Sequence, residues 1–111
     1  MDRVAFFRAH LEGKPDDRFA RYSLALELKK AGALDEAEAQ LRRLLEQHPE
    51  SGAGHLQLGQ LLEERERLEA SKEAYEAGLS ALQAAKGAEA RKARSELQAA
   101  VDAVEDRLLY G

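Results

Sequence analysis

The sequence predicts an all-α fold of stacked helix pairs, and three observations support this. Of the 111 residues, 44% are hydrophobic and 34% are charged, and the commonest types, Ala, Leu, Glu and Arg, are strong helix formers. Ile and Thr are absent, which disfavours a β-sheet. Pro15 and Pro49 each follow a helix-like segment and lie 34 residues apart, which suggests a repeat.

Other positions recur with the same period. Two three-membered apolar series share the spacing: Phe7, Leu41 and Tyr75, and Leu11, Leu45 and Leu79. Small residues also match small ones, as in Ala25 and Gly59. A repeat unit of this kind cannot bury its apolar face alone, so neighbouring units are expected to stack.

The first predicted element is a single helix over residues 2–12. Val4, Phe7 and Leu11 form its apolar stripe. Because Phe7 and Leu11 begin the two apolar series, this helix matches the second half of a repeat unit.

Residues 18–51 form the first complete unit. Asp16 and Asp17 are suited to cap the N-terminus of its first helix, predicted over 18–31. Leu24 and Leu28 lie on the apolar stripe of this helix.

The turn of this unit is predicted at Gly32, since glycine favours the left-handed position after a helix. The second helix is expected to begin at Asp35, with Glu38 completing a capping box, and to stop before Pro49.

Residues 52–85 form the second unit, with helices predicted over 52–65 and 69–84. Gln83 stands where the repeat frame calls for proline, so the second helix is expected to continue toward the next segment.

The repeat frame is lost after Gly87, although residues 88–109 remain strongly helical in pattern. Leu97, Val101 and Val104 lie on one stripe and charged residues on the opposite face, as expected of a capping helix. We expect a boundary near Lys86–Gly87, with one long helix from residue 69 as the alternative. Residues 1–111 are therefore predicted to form a single domain.

The spacing of these residues resembles the tetratricopeptide repeat family. The first unit carries Arg21-x2-Leu24-Ala25-x2-Leu28, then Ala37-x3-Leu41, then Pro49. The second carries His55-x2-Leu58-Gly59-x2-Leu62, then Ser71-x3-Tyr75. Arg21 and His55 replace the family's Trp, and Glu66 stands where the first unit has Gly32. The resemblance covers residues 2–85 and implies a helix-turn-helix solenoid of about two full repeats, an N-terminal half repeat and a C-terminal capping helix.

The resemblance also implies a binding groove, which in this family is lined by the first helix of each pair. The positions that match are Phe19, Tyr22, Leu26, Lys29, Ala53, Leu56, Gln60 and Glu63. Because this set is partly apolar and carries both charge signs, an amphipathic helix or peptide of another protein is the expected ligand. The family's clamp for acidic C-terminal peptides is not matched, since Tyr22 and Leu26 occupy two of its positions. The alternatives are that a second copy covers the groove, making a homodimer, or that the chain's own terminal helices do.

No catalytic, cofactor or metal site is expected. The chain has no Cys, and His10, His48 and His55 lack the spacing of metal ligands on a helix. The acidic run of Glu63, Glu64, Glu66 and Glu69 is interpreted as a solvated helix end. The sequence thus predicts a non-enzymatic scaffold.

Nucleic acid and membranes are not predicted partners. The net charge is −4, and acidic residues are interleaved with the basic clusters, which disfavours phosphate binding. No run of about 18 apolar residues occurs, and the N-terminus lacks the apolar segment of a secretory signal. We therefore expect a cytoplasmic protein.

Overall fold

The computed structural model describes residues 2–111, which contain six α-helices and no β-strand. The helices are α1 (Arg3–Gly13), α2 (Arg18–Lys30), α3 (Leu34–Gln47), α4 (Gly52–Glu64), α5 (Leu68–Ala81) and α6 (Ala88–Tyr110). They form two compact units that divide between His48 and Pro49.

In the first unit, α2 packs against both α1 and α3. The stripe of α2 that contains Leu24, Ala25 and Leu28 is buried, as the 3.6-residue period requires. Asp17 caps α2 by accepting a hydrogen bond from the backbone N–H of Ala20. That bond and a second one with His10 hold the pKa of Asp17 below its ordinary value.

In the second unit, α5 packs against α4, and α6 packs against both of them. Its core is a cluster of five buried side chains from α5, α6 and the segment between them: Tyr75, Leu82, Leu97, Val101 and Val104. Tyr75 reaches full burial because Gly59 of α4 has no side chain, and a Cβ there would overlap the tyrosine ring. Leu56 of α4 packs against the edge of this cluster.

The turns after α2 and α4 have the same backbone geometry. Gly32 has a φ of 80°, and the N–H of Ala33 donates to the carbonyl of Leu28. Glu66 takes the equivalent left-handed position, with a φ of 58°, and the N–H of Arg67 donates to the carbonyl of Leu62. The turn is therefore retained although its second copy lacks the favoured glycine.

The predicted capping box at the start of α3 is wrong. Ala33 is the N-cap and makes no side-chain hydrogen bond, because the turn after α2 ends on this residue and Leu34 enters the helix at once. Asp35 consequently lies within the first turn, where its negative charge favours the helix N-terminus. Glu38 lies one turn further along and pairs with Arg42.

The prediction that the fifth helix extends to residue 84 and continues toward the cap is also wrong, since α5 ends at Ala81. The carbonyl groups of Leu82 and Ala85 instead accept hydrogen bonds from Arg94 of α6, at 2.8 Å and 2.7 Å. Gly87, with a φ of 104°, is the N-cap of α6, which begins at Ala88, and this excludes one continuous helix from residue 69.

Candidate protein-binding surface

One face of α2 carries the predicted groove residues of the first unit. Phe19, Tyr22, Leu26 and Lys29 follow one another at intervals of three or four residues and so lie on one stripe of the helix. Phe19 is 73% exposed, whereas the other three are half-buried. This stripe therefore combines one solvent-exposed aromatic ring with a partly covered apolar base.

Phe19 belongs to an aromatic cluster of three rings, Phe6, Phe7 and Phe19. The central ring, Phe7, is buried, and the other two meet it edge-on at centroid distances of 5.3 Å and 6.4 Å. The guanidinium of Arg3 lies 5.4 Å from the centroid of the Phe7 ring, within the range of a cation–π contact. The outer rings are thus positioned by packing while remaining exposed.

An ion-pair network lies beside this cluster. Nε of Arg3 donates to Oε1 of Glu27 at 2.7 Å, and the ammonium of Lys30 lies 3.6 Å from the same oxygen. The hydrogen bond from Arg3 lowers the pKa of the Glu27 carboxyl from its ordinary value. Arg3 joins α1 to α2 here and contributes positive charge near the exposed rings.

On α4, the predicted groove residues have different surroundings. Ala53 is exposed, while Leu56 packs against the core cluster to which α6 contributes Leu97, Val101 and Val104. Gln60 and Glu63 line a shallow depression together with Glu64, Glu66 and Arg107 of α6. Two of the four α4 positions therefore line a depression shared with the chain's last helix, and a third packs against a core cluster to which that helix contributes.

Glu63 is held by two other helices. The hydroxyl of Tyr75 on α5 donates to Oε2 of Glu63 at 2.5 Å, and Nη1 of Arg107 on α6 donates to Oε1 at 3.1 Å. Burial, reinforced by the hydrogen bond to Glu63 and by its charge, raises the pKa of the Tyr75 phenol above its ordinary value. Arg107 also pairs with Glu66 at 3.1 Å. The expectation of a solvated acidic run is therefore wrong for Glu63.

The three histidines are engaged separately within the chain. Nε2 of His10 lies 2.9 Å from the Asp17 carboxylate, Nε2 of His48 lies 2.7 Å from the carbonyl oxygen of Asp16, and Nε2 of His55 lies 2.8 Å from that of Pro49. Among the residues described, no three His, Cys, Asp or Glu side chains are grouped so that they could hold a metal ion. These contacts connect helices to the turns beside them.

Sequence reasoning did not single out Phe6, Arg107 or the exposed last turn of α6. Leu109 and Tyr110 in that turn are 72% and 83% exposed. The sequence gives no sign that Phe6 is exposed, because it adjoins the core residue Phe7 and has no counterpart in the 34-residue series. Arg107 lacked a signal because its partners Glu63 and Glu66 are 44 and 41 residues away.

Comparisons with known proteins agree with the two-helix geometry. A tetratricopeptide repeat profile matches residues 18–61. A crystal structure of a tetratricopeptide repeat domain protein from Salinibacter ruber is 30% identical, covering 80% of this chain and 97% of its own, with a TM-score of 0.70. The chain belongs to the tetratricopeptide repeat family. Its fold class is the all-α helical solenoid of that family, as the sequence predicted.

Two further structures are similar to this tetratricopeptide repeat chain. A solution NMR structure of a tetratricopeptide repeat domain protein from Salinibacter ruber is 31% identical, covers 82% of this chain and 89% of its own, and has a TM-score of 0.74. The MamA RS-1 ArsTM double mutant is 17% identical and shares the fold, with a TM-score of 0.65 over 92% of this chain and 56% of its own. No curated protein sequence matches significantly.

Within residues 2–111, no helix is both long and apolar enough to cross a bilayer. Tetratricopeptide repeats generally mediate contacts between proteins, and the family is generally non-catalytic. Protein binding is therefore the general role that family membership supports for this chain.

Proposed function

We propose that this tetratricopeptide repeat chain is a non-enzymatic scaffold that binds a peptide or amphipathic helix of another protein through the exposed stripe of α2. The observation that carries this proposal is the position of Phe19, 73% exposed at one end of a stripe that also holds Tyr22 and Leu26. An exposed aromatic ring beside half-buried apolar residues is a typical contact for an incoming apolar side chain.

The charges beside the stripe favour a ligand with both apolar and acidic positions. Lys29 lies within the stripe, and Arg3 and Lys30 border it, where the two share the single carboxylate of Glu27 and leave positive charge in excess. Acidic groups of a ligand would meet this basic border, and its apolar side chains would cover Phe19 and Tyr22. The α4 positions Ala53, Leu56, Gln60 and Glu63 remain part of the predicted contact set, with Ala53 the most accessible of them.

The hydrogen bonds of Tyr75 and the three histidines support the proposal that the chain is not an enzyme. The hydroxyl of Tyr75, whose pKa is raised, donates a hydrogen bond to the Glu63 carboxylate within the second unit. His10, His48 and His55 each contact an oxygen that belongs to a turn or helix cap. These groups satisfy the fold's own hydrogen bonds rather than converging on one reaction centre.

A capture experiment tests the proposal. Phe19→Asp and Tyr22→Asp together should abolish capture of a protein partner from a native lysate, because they place carboxylates where apolar contacts are expected. Ala99→Asp is the matched control, since it adds a carboxylate at an exposed apolar residue of α6, outside the stripe, and it should leave capture unchanged. Circular dichroism checks that all variants keep the helical content of the wild type. Undiminished capture by the folded α2 variant would refute the assignment of the surface.

Light scattering tests the alternative, in which the same stripe forms a homodimer. If α2 paired with α2, wild-type protein would reach twice the monomer mass of 12.3 kDa, and Phe19→Asp with Tyr22→Asp would return it to the monomer. Unchanged mass in that variant excludes the symmetric dimer.

A further inference from the structure

We propose that copies of this chain associate with one another through two different surfaces. The last turn of α6 in one copy, which carries Leu109 and Tyr110, would pack on the aromatic cluster of Phe6, Phe7 and Phe19 in another copy. This inference goes beyond the proposed function, since Phe6 and the last turn of α6 lie outside the predicted groove and only Phe19 belongs to both surfaces.

The aromatic cluster provides the receiving surface. Phe6 is 55% exposed and Phe19 73% exposed, and both are held edge-on against the buried Phe7. Two exposed phenyl rings on a fixed base form an apolar patch, which is a recognised mark of a protein contact. Ring edges and faces both remain available for an aromatic or aliphatic side chain.

The last turn of α6 provides the inserting surface. Leu109 and Tyr110 are 72% and 83% exposed, and Leu108 is 40% exposed. Arg107, the residue just before these three, is paired with Glu63 and Glu66, so the start of this turn is fixed on the second unit. Tyrosine adds a large contact area at a small cost in side-chain entropy, which suits it to an interface.

Charge favours contact between unlike units. The first unit, residues 1–48, holds nine basic and nine acidic residues and is neutral, whereas residues 49–111 hold eight basic and twelve acidic residues and carry all of the −4 charge. Two copies meeting through their second units would bring like charges together. A meeting of second unit with first unit avoids this repulsion. Arg3 and Lys30 share the single carboxylate of Glu27 beside the aromatic cluster, so positive charge is in excess there and would favour the approach of Asp106, one turn before Tyr110.

Such a contact is heterologous, because it joins the last turn of α6 in one copy to the aromatic cluster of another copy. It therefore adds copies into chains or rings rather than stopping at a symmetric pair. The apolar contact is small, so we expect weak association, appearing at protein concentrations on the order of 0.1 mM.

Two variants separate this arrangement from every symmetric one. Phe6→Ser removes part of the receiving surface and keeps the α6 turn. Leu109→Ser with Tyr110→Ser removes the inserting surface and keeps the aromatic cluster. All three side chains are exposed, so the full chain should remain folded, which circular dichroism verifies.

The measurement is the weight-average mass by analytical ultracentrifugation at rising concentration. Wild-type mass should rise above 12.3 kDa without levelling at a dimer, each variant alone should stay near the monomer, and an equimolar mixture of the two variants should form a one-to-one dimer. The mixture regains mass because the intact α6 turn of the Phe6→Ser variant can pack on the intact aromatic cluster of the other variant. Association stops at two copies because the two surfaces left over in this dimer are both altered.

Three results would overturn the proposal. Monomeric wild-type protein at about ten times the expected concentration excludes self-association on this surface. Persistent association of the Leu109→Ser, Tyr110→Ser variant alone indicates pairing of aromatic clusters with each other, and persistence in Phe6→Ser alone indicates pairing through α6. Since these variants leave Tyr22 and Leu26 intact, loss of self-association with retained partner capture separates this inference from the proposed function.

Discussion

The imidazole of His55 is hydrogen-bonded to the carbonyl oxygen of Pro49, with Nε2 as the donor at 2.8 Å. Arg21 makes the corresponding bond in the first repeat, where Nη2 donates to the carbonyl oxygen of Pro15 at 2.6 Å. Both donors occupy the position at which the family has Trp, and both acceptors are the repeat prolines. Different side chains thus make the same link between a proline turn and the helix that follows it.

Arg21→Ala should destabilise the first unit by roughly 2 kcal/mol, since Arg21 donates to Gln40 and Gln47 as well as to Pro15. Arg21→Lys is the control, because an ammonium can reach one of these oxygens but cannot reproduce the guanidinium fork. The Arg21→Lys variant should therefore lose an intermediate amount of unfolding free energy. Urea unfolding followed by circular dichroism measures both, and a loss below about 0.5 kcal/mol for Arg21→Ala would contradict this reading of the turn.

Gly59→Ala should be among the most destabilising single changes, at about 3 kcal/mol or more, because the added methyl group overlaps the fully buried ring of Tyr75. Gly13→Ala is the matched control. It lies at the end of α1 with nothing within 4 Å of an added Cβ, so it should be neutral or stabilise the protein by up to about 1 kcal/mol. Thermal unfolding distinguishes them, and equal melting temperatures would show that Tyr75 can move aside.

Glu66→Gly should stabilise the chain by up to about 1 kcal/mol, because Glu66 has a φ of 58°, which penalises a residue with a Cβ. The ion pair with Arg107 that it loses is largely exposed and contributes little. Gly32→Ala at the equivalent position, with a φ of 80°, should shift stability in the opposite direction. Chemical unfolding of both variants tests the pair, and destabilisation by Glu66→Gly would mean that the contact with Arg107 outweighs the backbone strain.

The raised pKa of Tyr75 predicts that the protein loses stability at high pH. Its pKa is raised in the folded state above the ordinary value of 10.0, so the folded chain holds this proton more tightly than the unfolded chain does. The resulting stabilisation is complete below about pH 10 and decreases as the pH rises above it. Tyr75→Phe lacks this proton and should show a shallower decline between pH 9 and 11 when urea midpoints are compared. Parallel declines would show that Tyr75 is not the titrating group.

Local sequence signals predicted much of the fold. Asp17 caps α2 as expected because its carboxylate bonds to an N–H only three residues away. Gly32 and Glu66 occupy equivalent positions in the turns after α2 and α4, because these two helices have the same length and burial pattern. These features depend on neighbouring residues and on a period that is visible in one dimension.

The sequence alone determined the helical class and the 34-residue period, since both follow from helix propensity and spacing along the chain, and its motifs resemble those of the tetratricopeptide repeat family. Only the tertiary structure decided where α5 ends and how Glu63 is neutralised. The end of α5 depends on Arg94 of α6 binding the carbonyl groups of Leu82 and Ala85. Glu63 meets Arg107 across 44 residues because α6 packs against α4, and contacts of that kind arise from packing between helices that no local pattern encodes.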